Sequence, residues 1–158
     1  MKVVDANVLL YAVNEASEFH TESLEWIDRA LSGEDTVGLP WLVMVSFVRL
    51  STHPAVFTNP LTSEQAISRL SDWTASAYAR TINPGPKHLQ ILSELLDRTG
   101  TGGNLTNDAH IAALALEHHA DVVSFDNDFT RFPGVRWRTP AQLLADTTGS
   151  PAATTAAE

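Results

Sequence analysis

Cysteine is absent from this chain of 158 residues, and its absence excludes several kinds of chemistry. Without a thiol there is no disulfide framework, no thiolate zinc site, no iron–sulfur cluster and no catalytic cysteine. Such a composition fits a reducing cytosol. Near the N-terminus, Asp5 interrupts what would have to be the apolar stretch of a secretory signal. We therefore predict a cytoplasmic protein.

Positive charge is scarce. Ten Lys and Arg residues stand against nineteen Asp and Glu residues, which gives a formal net charge of −9. A protein that held nucleic acid mainly by neutralising phosphates would normally be basic. A nucleic-acid role for this chain therefore needs a local basic patch or a bound cation.

Long apolar runs are also missing. The longest extends from Val37 to Val48, is broken by Pro40 and Ser46, and stops at Arg49. It falls well short of the roughly 20 residues that a membrane-spanning helix needs. The sequence predicts a soluble protein that does not enter a membrane.

Short apolar segments alternate with amphipathic ones along most of the chain. This alternation is what a parallel sheet with crossover helices produces. We predict an α/β fold whose central parallel sheet has four to five strands flanked by helices. One domain is expected over residues 1–146, followed by a disordered Ala/Thr-rich tail over residues 147–158. The strands are predicted at residues 2–4, 37–39, 79–82, 122–125 and 135–137.

Several helices have recognisable ends. Thr62 and Gln65 match a capping box at the start of a helix predicted over residues 62–76. Pro40 is placed as the first residue of an earlier helix. Two further helices are predicted over residues 86–98 and 109–119, and residues 106–108 are predicted to start the second of them.

Four aspartates fall where such a sheet binds ligands. Asp5 ends the first predicted strand, Asp126 and Asp128 follow a later strand, and Asp108 opens the helix before that strand. Ligands of open parallel sheets bind outside the carboxyl ends of the strands. Carboxylates gathered there repel one another unless a counter-charge is present. Mg²⁺ or Mn²⁺ would supply that charge, bind through oxygen ligands, and activate a water for in-line attack on phosphorus.

Each acid alone also has an ordinary structural explanation. Asp5 fits a turn or a helix N-cap, and Asp108 is favoured in the first turn of any helix by the helix dipole. Asp126 and Asp128 belong to a segment of ordinary turn composition. Their joint placement at one edge of the sheet is what favours a metal site.

Three segments that carry these acids resemble the signature segments of PIN-domain ribonucleases. They span residues 3–12, 103–115 and 122–132. The chain is similar in particular to VapC-type toxins of bacterial toxin–antitoxin pairs, and the likeness extends to about residue 145. The resemblance implies a three-layer domain and an endoribonuclease that uses Mg²⁺, with Mn²⁺ as a substitute. It also implies cleavage of structured RNA such as tRNA or rRNA, a homodimer, and silencing by a small antitoxin. We expect no DNA binding by the chain on its own.

The resemblance assigns roles to the acids. Asp5 and Asp108 match the most regular metal ligands of the family, and Asp126 matches the acid after the third signature strand. Asp128 matches a further acid that is often found two residues later. We therefore expect metal binding by Asp5, Asp108 and Asp126, and catalysis by these three together with Asp128.

Polar residues around the acids are expected to hold them in place. Asn7 and Ser124 match polar positions of the family, and Thr106 is included with them. Ser46 stands where many PIN proteins carry a Glu, and a hydroxyl holds a water but adds no charge. Weaker metal binding or impaired catalysis is therefore an open alternative. Arg49 and Arg131 are candidate phosphate contacts, although exposed cations usually have no such role.

Three rival functions remain open at this stage. A PIN-shaped protein with little or no catalysis would bind only RNA or an antitoxin. A phospho-receiver-like Mg²⁺-binding module usually needs a Lys after its last core strand, and the two lysines, Lys2 and Lys87, are not so placed. A phosphatase with an Asp nucleophile needs a second acid at position 7, which is Asn7.

Overall fold

A five-stranded sheet forms the centre of the molecule. The computed structural model describes residues 1–100 and 102–148. All strands run parallel, in the order β3-β2-β1-β4-β5. The predicted α/β class and parallel sheet are confirmed. The strands are β1 Lys2–Val4, β2 Val37–Pro40, β3 Ala79–Ile82, β4 Asp121–Val123 and β5 Trp137–Arg138.

Seven α-helices connect and cover the strands within the described residues. The two helices between β3 and β4 pack on each other, while the helices nearer the N-terminus form a second group. The helices are α1 Ala6–Val13, α2 His20–Arg29, α3 Trp41–Ser51, α4 Ser63–Thr74, α5 His88–Thr99, α6 Thr106–Glu117 and α7 Pro140–Thr148.

The apolar residues of the inner strands make the core. Val3, Val4, Val122 and Val123 are fully buried, as expected for β-branched residues of a sheet covered on both faces. The buried Ala-rich face of α6 packs on β1 and β4 because small side chains permit close approach. No helix among the described residues combines the length and apolar character needed to cross a bilayer.

The predicted helix starts are correct in kind, with small shifts of boundary. Thr62 caps α4 in a capping box: its hydroxyl accepts from Gln65 N–H, and the Gln65 side chain accepts from Thr62 N–H. Pro40 is the N-cap of α3 rather than its first residue, and it also ends β2. Helix α6 begins at Thr106, the first residue of the segment that was predicted to start it, and ends at Glu117, two residues before the predicted end.

Helix α7 was not predicted. It includes residues 147 and 148, the first two residues of the predicted tail. The Thr147 hydroxyl accepts a hydrogen bond from Arg29, which ties this helix to α2. Residues 149–158 lie outside the described part of the chain, so the tail stays a prediction there.

The strand order determines where this sheet has a crevice for a ligand. The chain adds β2 and β3 on one side of β1, then returns to add β4 on the other side. A reversal of this kind leaves a crevice at the carboxyl ends of the strands, between β1 and β4. Asp5 follows β1, and residues 124–128 follow β4, so both segments border this crevice.

Candidate metal centre

Asp5 is held rigidly at the end of β1. It is buried, with 8% of its surface exposed, and it is the N-cap of α1. Its Oδ1 accepts from Ala6 N–H at 2.6 Å, and its Oδ2 accepts from the Ser124 hydroxyl at 2.6 Å and the Asn7 amide at 2.9 Å. Burial raises the pKa of Asp5 above its usual range, although these hydrogen bonds lower it in part. Oδ1 keeps a free lone pair, so it is the atom available for a cation.

Asn7 and Ser124 join the ends of β1 and β4. The Asn7 amide donates to Ser124 Oγ at 3.0 Å, and its Oδ1 accepts from Phe125 N–H at 3.3 Å. Ser124 Oγ also accepts from Asp126 N–H at 2.9 Å. The two residues therefore hold Asp5 and the backbone of Asp126 in one hydrogen-bonded network.

A short 3₁₀ segment, Asn127–Arg131, carries the next acids. Asp126 caps it, because its Oδ1 accepts from Asp128 N–H at 2.8 Å. Phe129 within this segment and Phe132 directly after it are almost fully buried. Their burial fixes the segment to the core, so that Asp126 and Asp128 are presented from a rigid support.

Asp108 completes the arrangement from the first turn of α6. Carboxylate oxygens of Asp108, Asp126 and Asp128 lie within 4.8 Å of one another. Burial, together with the negative charges of Asp5, Asp126 and Asp128, raises the pKa of Asp108 to about 7. The fold therefore brings the predicted acids to one place, although Asp5 lies outside the tight group of three.

The donor set suits a hard divalent cation. It consists of carboxylate oxygens, which Mg²⁺ and Mn²⁺ prefer over nitrogen or sulfur. Positive charge beside it is limited among the described residues: Arg131 approaches Asp128 with a nitrogen–oxygen distance of 3.7 Å. Because burial and the neighbouring negative charges raise the pKa of Asp108 to about 7, its carboxyl without a cation keeps a proton up to about that pH. A bound cation would replace that proton.

Of the remaining predicted residues, Arg131 approaches one of the acids, Asp128. Ser46 is half-buried on α3, and Thr106 is exposed at the start of α6. Among the described residues, neither hydroxyl makes a hydrogen bond to the acids. Arg49 is exposed in the last turn of α3, and Arg131 is exposed and faces Asp128. These four assignments stay predictions.

The raised pKa of Asp108 leads to a pH-dependent stability. The folded protein keeps the Asp108 proton up to about pH 7, whereas the unfolded chain loses it near 3.8. The folded state therefore binds more protons between these values, and stability falls as the pH rises through this window. Because the carboxyl is half-exposed, we expect a loss of only about 1–2 kcal/mol.

Urea unfolding in EDTA between pH 4.5 and 8 measures this slope. Asp108→Asn is the matched variant, because it lacks the titrating group and keeps the shape. The difference in stability between wild type and variant should grow with pH. Parallel pH profiles would contradict the raised pKa of Asp108.

Two features escaped the sequence analysis. A buried histidine, His88, bridges Glu117 and His110 between α5 and α6. Tyr11, Phe19 and Phe125 form a cluster of rings, and Phe125 directly precedes Asp126 in the chain. Neither set has a fixed spacing in sequence, so only the tertiary structure reveals them.

Comparison with known proteins adds sequence relatives. The PIN domain family matches residues 2–135. Ribonuclease VapC37 of Mycobacterium tuberculosis (strain ATCC 25618 / H37Rv) is 55% identical over 144 residues, which are 91% of this chain and 100% of that protein. Ribonuclease VapC31 of Mycobacterium tuberculosis (strain CDC 1551 / Oshkosh) is 40% identical over 136 residues, which are 86% and 96% of the two chains.

Solved structures share the fold at lower identity. The VapBC2 structure from Rickettsia felis, bound to a DNA fragment from its promoter, matches with a TM-score of 0.62 and 22% identity, over 87% of this chain and 97% of that one. Mycobacterium tuberculosis VapC20, described as a sarcin-ricin loop cleaving toxin, matches with a TM-score of 0.61 and 17% identity, over 86% and 99%.

Proposed function

Because this chain belongs to the PIN-domain family and its sequence relatives are VapC ribonucleases, we propose that it is a Mg²⁺-dependent endoribonuclease, the toxin of a toxin–antitoxin pair. The observation that carries the proposal is the convergence of Asp108, Asp126 and Asp128, with Asp5 beside them, at the carboxyl edge of the sheet. The substrate is a structured RNA such as tRNA or rRNA, and the reaction is hydrolysis of a phosphodiester bond in the cytoplasm.

In this proposal the acids bind the cation, and neighbouring polar residues hold the acids in position. Asp5, Asp108 and Asp126 would hold the cation, and Asp128 would add negative charge beside it. A bound Mg²⁺ would supply a nucleophilic water and stabilise charge on the phosphate. Asn7 and Ser124 keep Asp5 in position by hydrogen bonds. Asp108 gives up its proton when the cation binds.

The test is an RNA cleavage assay with protein freed of any bound partner. Total RNA is incubated with Mg²⁺, Mn²⁺ or EDTA. Duplex DNA is the substrate control. We expect discrete RNA products with either metal and none in EDTA. RNA cleavage of equal rate in EDTA would refute the proposal, whereas metal-independent RNA binding without products would favour a binding protein.

An antitoxin partner is part of the proposal. Several solved structures with this fold are VapBC complexes or toxin–antitoxin complexes. The acid cluster here, on a chain of net charge −9, is complementary to a short basic segment of such a partner. We expect the product of a small neighbouring reading frame to co-purify with the chain and to inhibit its cleavage of RNA.

A homodimer is supported by exposed apolar residues on α3. Trp41 and Val45 lie one helical turn apart, and each has 60% of its surface exposed. Light scattering should give twice the chain mass of 17.2 kDa. Trp41→Glu should shift the protein to the monomer, and an unchanged mass would place the interface elsewhere.

Ser46 decides between full and weakened catalysis. It is half-buried on α3, which starts at the carboxyl edge of the sheet. If it stands in for a missing acid, Ser46→Glu adds negative charge to the site. We expect the Mg²⁺ concentration for half-maximal cleavage to fall about 10-fold, while Ser46→Ala leaves it unchanged. No difference between the two variants would remove Ser46 from the site.

A further inference from the structure

Three aromatic rings from separate segments form one cluster. Tyr11 lies on α1, Phe19 precedes α2, and Phe125 follows β4. The ring centroids are 5.3 Å apart for Tyr11 and Phe19, 5.2 Å for Tyr11 and Phe125, and 4.6 Å for Phe19 and Phe125. All three side chains are half-buried, so each keeps part of its surface in contact with solvent. This aromatic cluster is not needed to fill the centre of the core.

The aromatic cluster is attached directly to the acid site. Phe125 lies between Ser124 and Asp126, and its N–H donates to the Asn7 side chain at 3.3 Å. Tyr11 is four residues after Asn7 on α1, so the two side chains share one face of the helix. Phe125 and Asn7 therefore connect the rings to the hydrogen-bonded network that holds Asp5.

The Tyr11 hydroxyl faces solvent. It makes no hydrogen bond within residues 1–100 and 102–148, yet it is not among the buried polar atoms that lack a partner there. A buried tyrosine hydroxyl usually finds a partner in the protein, whereas this one is exposed and has none among the described residues. The hydroxyl is therefore free to donate to a ligand that covers the rings.

Beside the proposed cation, base stacking is a further way to hold RNA at this place. Five of the ten basic side chains are engaged in ion pairs with carboxylates. An acidic protein with few unpaired cations gains little from phosphate contacts. Aromatic rings bind any base through its π-face, and this contact depends little on net charge. The paired residues are Lys2, Arg29, Arg131, Arg136 and Arg138.

We propose that Tyr11, with Phe19 and Phe125 behind it, stacks on the nucleobase next to the scissile phosphate. This inference rests on the proposed ribonuclease function and identifies a contact that positions the RNA. The ring of Tyr11 binds the base, and its hydroxyl donates to a base edge or a sugar. The rings behind it keep the orientation of Tyr11 fixed.

The test uses short single-stranded RNAs that each carry one 2-aminopurine, whose fluorescence is quenched by stacking. Binding is measured in Ca²⁺, and a gel confirms that the RNA stays intact. Wild type should quench the probe at one position. Tyr11→Leu should weaken binding about 5- to 150-fold and remove the quenching, and Tyr11→Phe should keep the quenching. Tyr78→Leu is the matched control, because the only other tyrosine precedes β3 at the opposite edge of the sheet.

The salt dependence gives a second readout. Since the lost contact is uncharged, the loss in Tyr11→Leu should be the same in 50 mM and 200 mM KCl, whereas a lost phosphate contact would depend on salt. Phe19→Leu tests whether the ring behind Tyr11 supports RNA binding. Circular dichroism identifies any variant that does not fold. If Tyr11→Leu and Phe19→Leu, or whichever of the two folds, show the quenching and RNA affinity of wild type, the proposal is wrong.

The outcomes separate this inference from the proposed function. Metal-dependent cleavage by wild type together with unchanged RNA affinity in Tyr11→Leu leaves the function intact and overturns the inference. Absence of metal-dependent cleavage overturns both. If Tyr11→Leu keeps its RNA affinity but loses a co-purifying partner protein, the rings form a protein contact and the RNA proposal is wrong.

Discussion

Asp108→Asn should lower metal-dependent RNA cleavage by about 10³-fold, because a bound metal supplies several kcal/mol of transition-state stabilisation. Asp108 lies among the other acids, and burial together with their charges raises its pKa to about 7. An amide at this position cannot neutralise Mg²⁺. The loss should appear in the maximal rate at saturating RNA.

The same substitution should make the metal-free protein more stable. It removes the charge that Asp5, Asp126 and Asp128 repel. At pH 8 in EDTA we expect the melting temperature to rise by roughly 4 °C. Asp97→Asn, an exposed acid on α5, is the control and should change neither property. A less stable Asp108→Asn protein would mean that the cleavage loss reports misfolding rather than a lost ligand.

His88→Ala should destabilise the protein by about 2–4 kcal/mol, which lowers the melting temperature by roughly 10 °C. His88 is buried, with 6% of its surface exposed. Its Nδ1 lies 2.7 Å from Glu117 Oε2, and its Nε2 lies 2.8 Å from His110 Nδ1. Removal of the imidazole leaves both partners without this bond inside the α5–α6 contact.

Glu117 explains the size of this effect. Burial alone would raise the pKa of Glu117, but hydrogen bonds from His88 and from Gly85 N–H hold it below its usual value. His88→Ala therefore leaves a nearly buried carboxylate with one fewer donor. His53→Ala, at an exposed turn, is the control and should cost about 0.5 kcal/mol or less. Equal melting temperatures for the two variants would contradict the bridging role of His88.

Local patterns were enough to predict most elements of the fold. Strands β1 and β3 were predicted with the observed bounds, and each is followed by turn-forming residues, Asp5 after β1 and residues 83–85 after β3. The capping box at Thr62 fixes the start of α4 by purely local bonds. Helix α7 carries the same kind of signal, because Thr139 and Gln142 exchange capping-box hydrogen bonds and Pro140 is its first residue. That signal was overlooked in the sequence, and contacts with α2 add to the stability of the helix.

The sequence predicts the position of the site only through the residues that follow the strands. The carboxyl ends of parallel strands lie at one edge, so Asp5 and Asp126 were expected at the same edge once the sheet was predicted. Their closeness follows from the pairing of β1 with β4, which was not predicted. The spacing between Asp108, Asp126 and Asp128 depends on how α6 and the 3₁₀ segment pack, which the sequence does not specify. The His88 bridge and the aromatic cluster depend on contacts between distant segments and could not be derived.

The most direct measurement is the anomalous difference density of a crystal of this protein soaked in Mn²⁺. We expect a peak enclosed by the carboxylates of Asp108, Asp126 and Asp128, with Asp5 Oδ1 facing it. The peak should vanish in a crystal of Asp108→Asn. A well-diffracting crystal with Mn²⁺ bound elsewhere and no peak among these aspartates would contradict the metal centre.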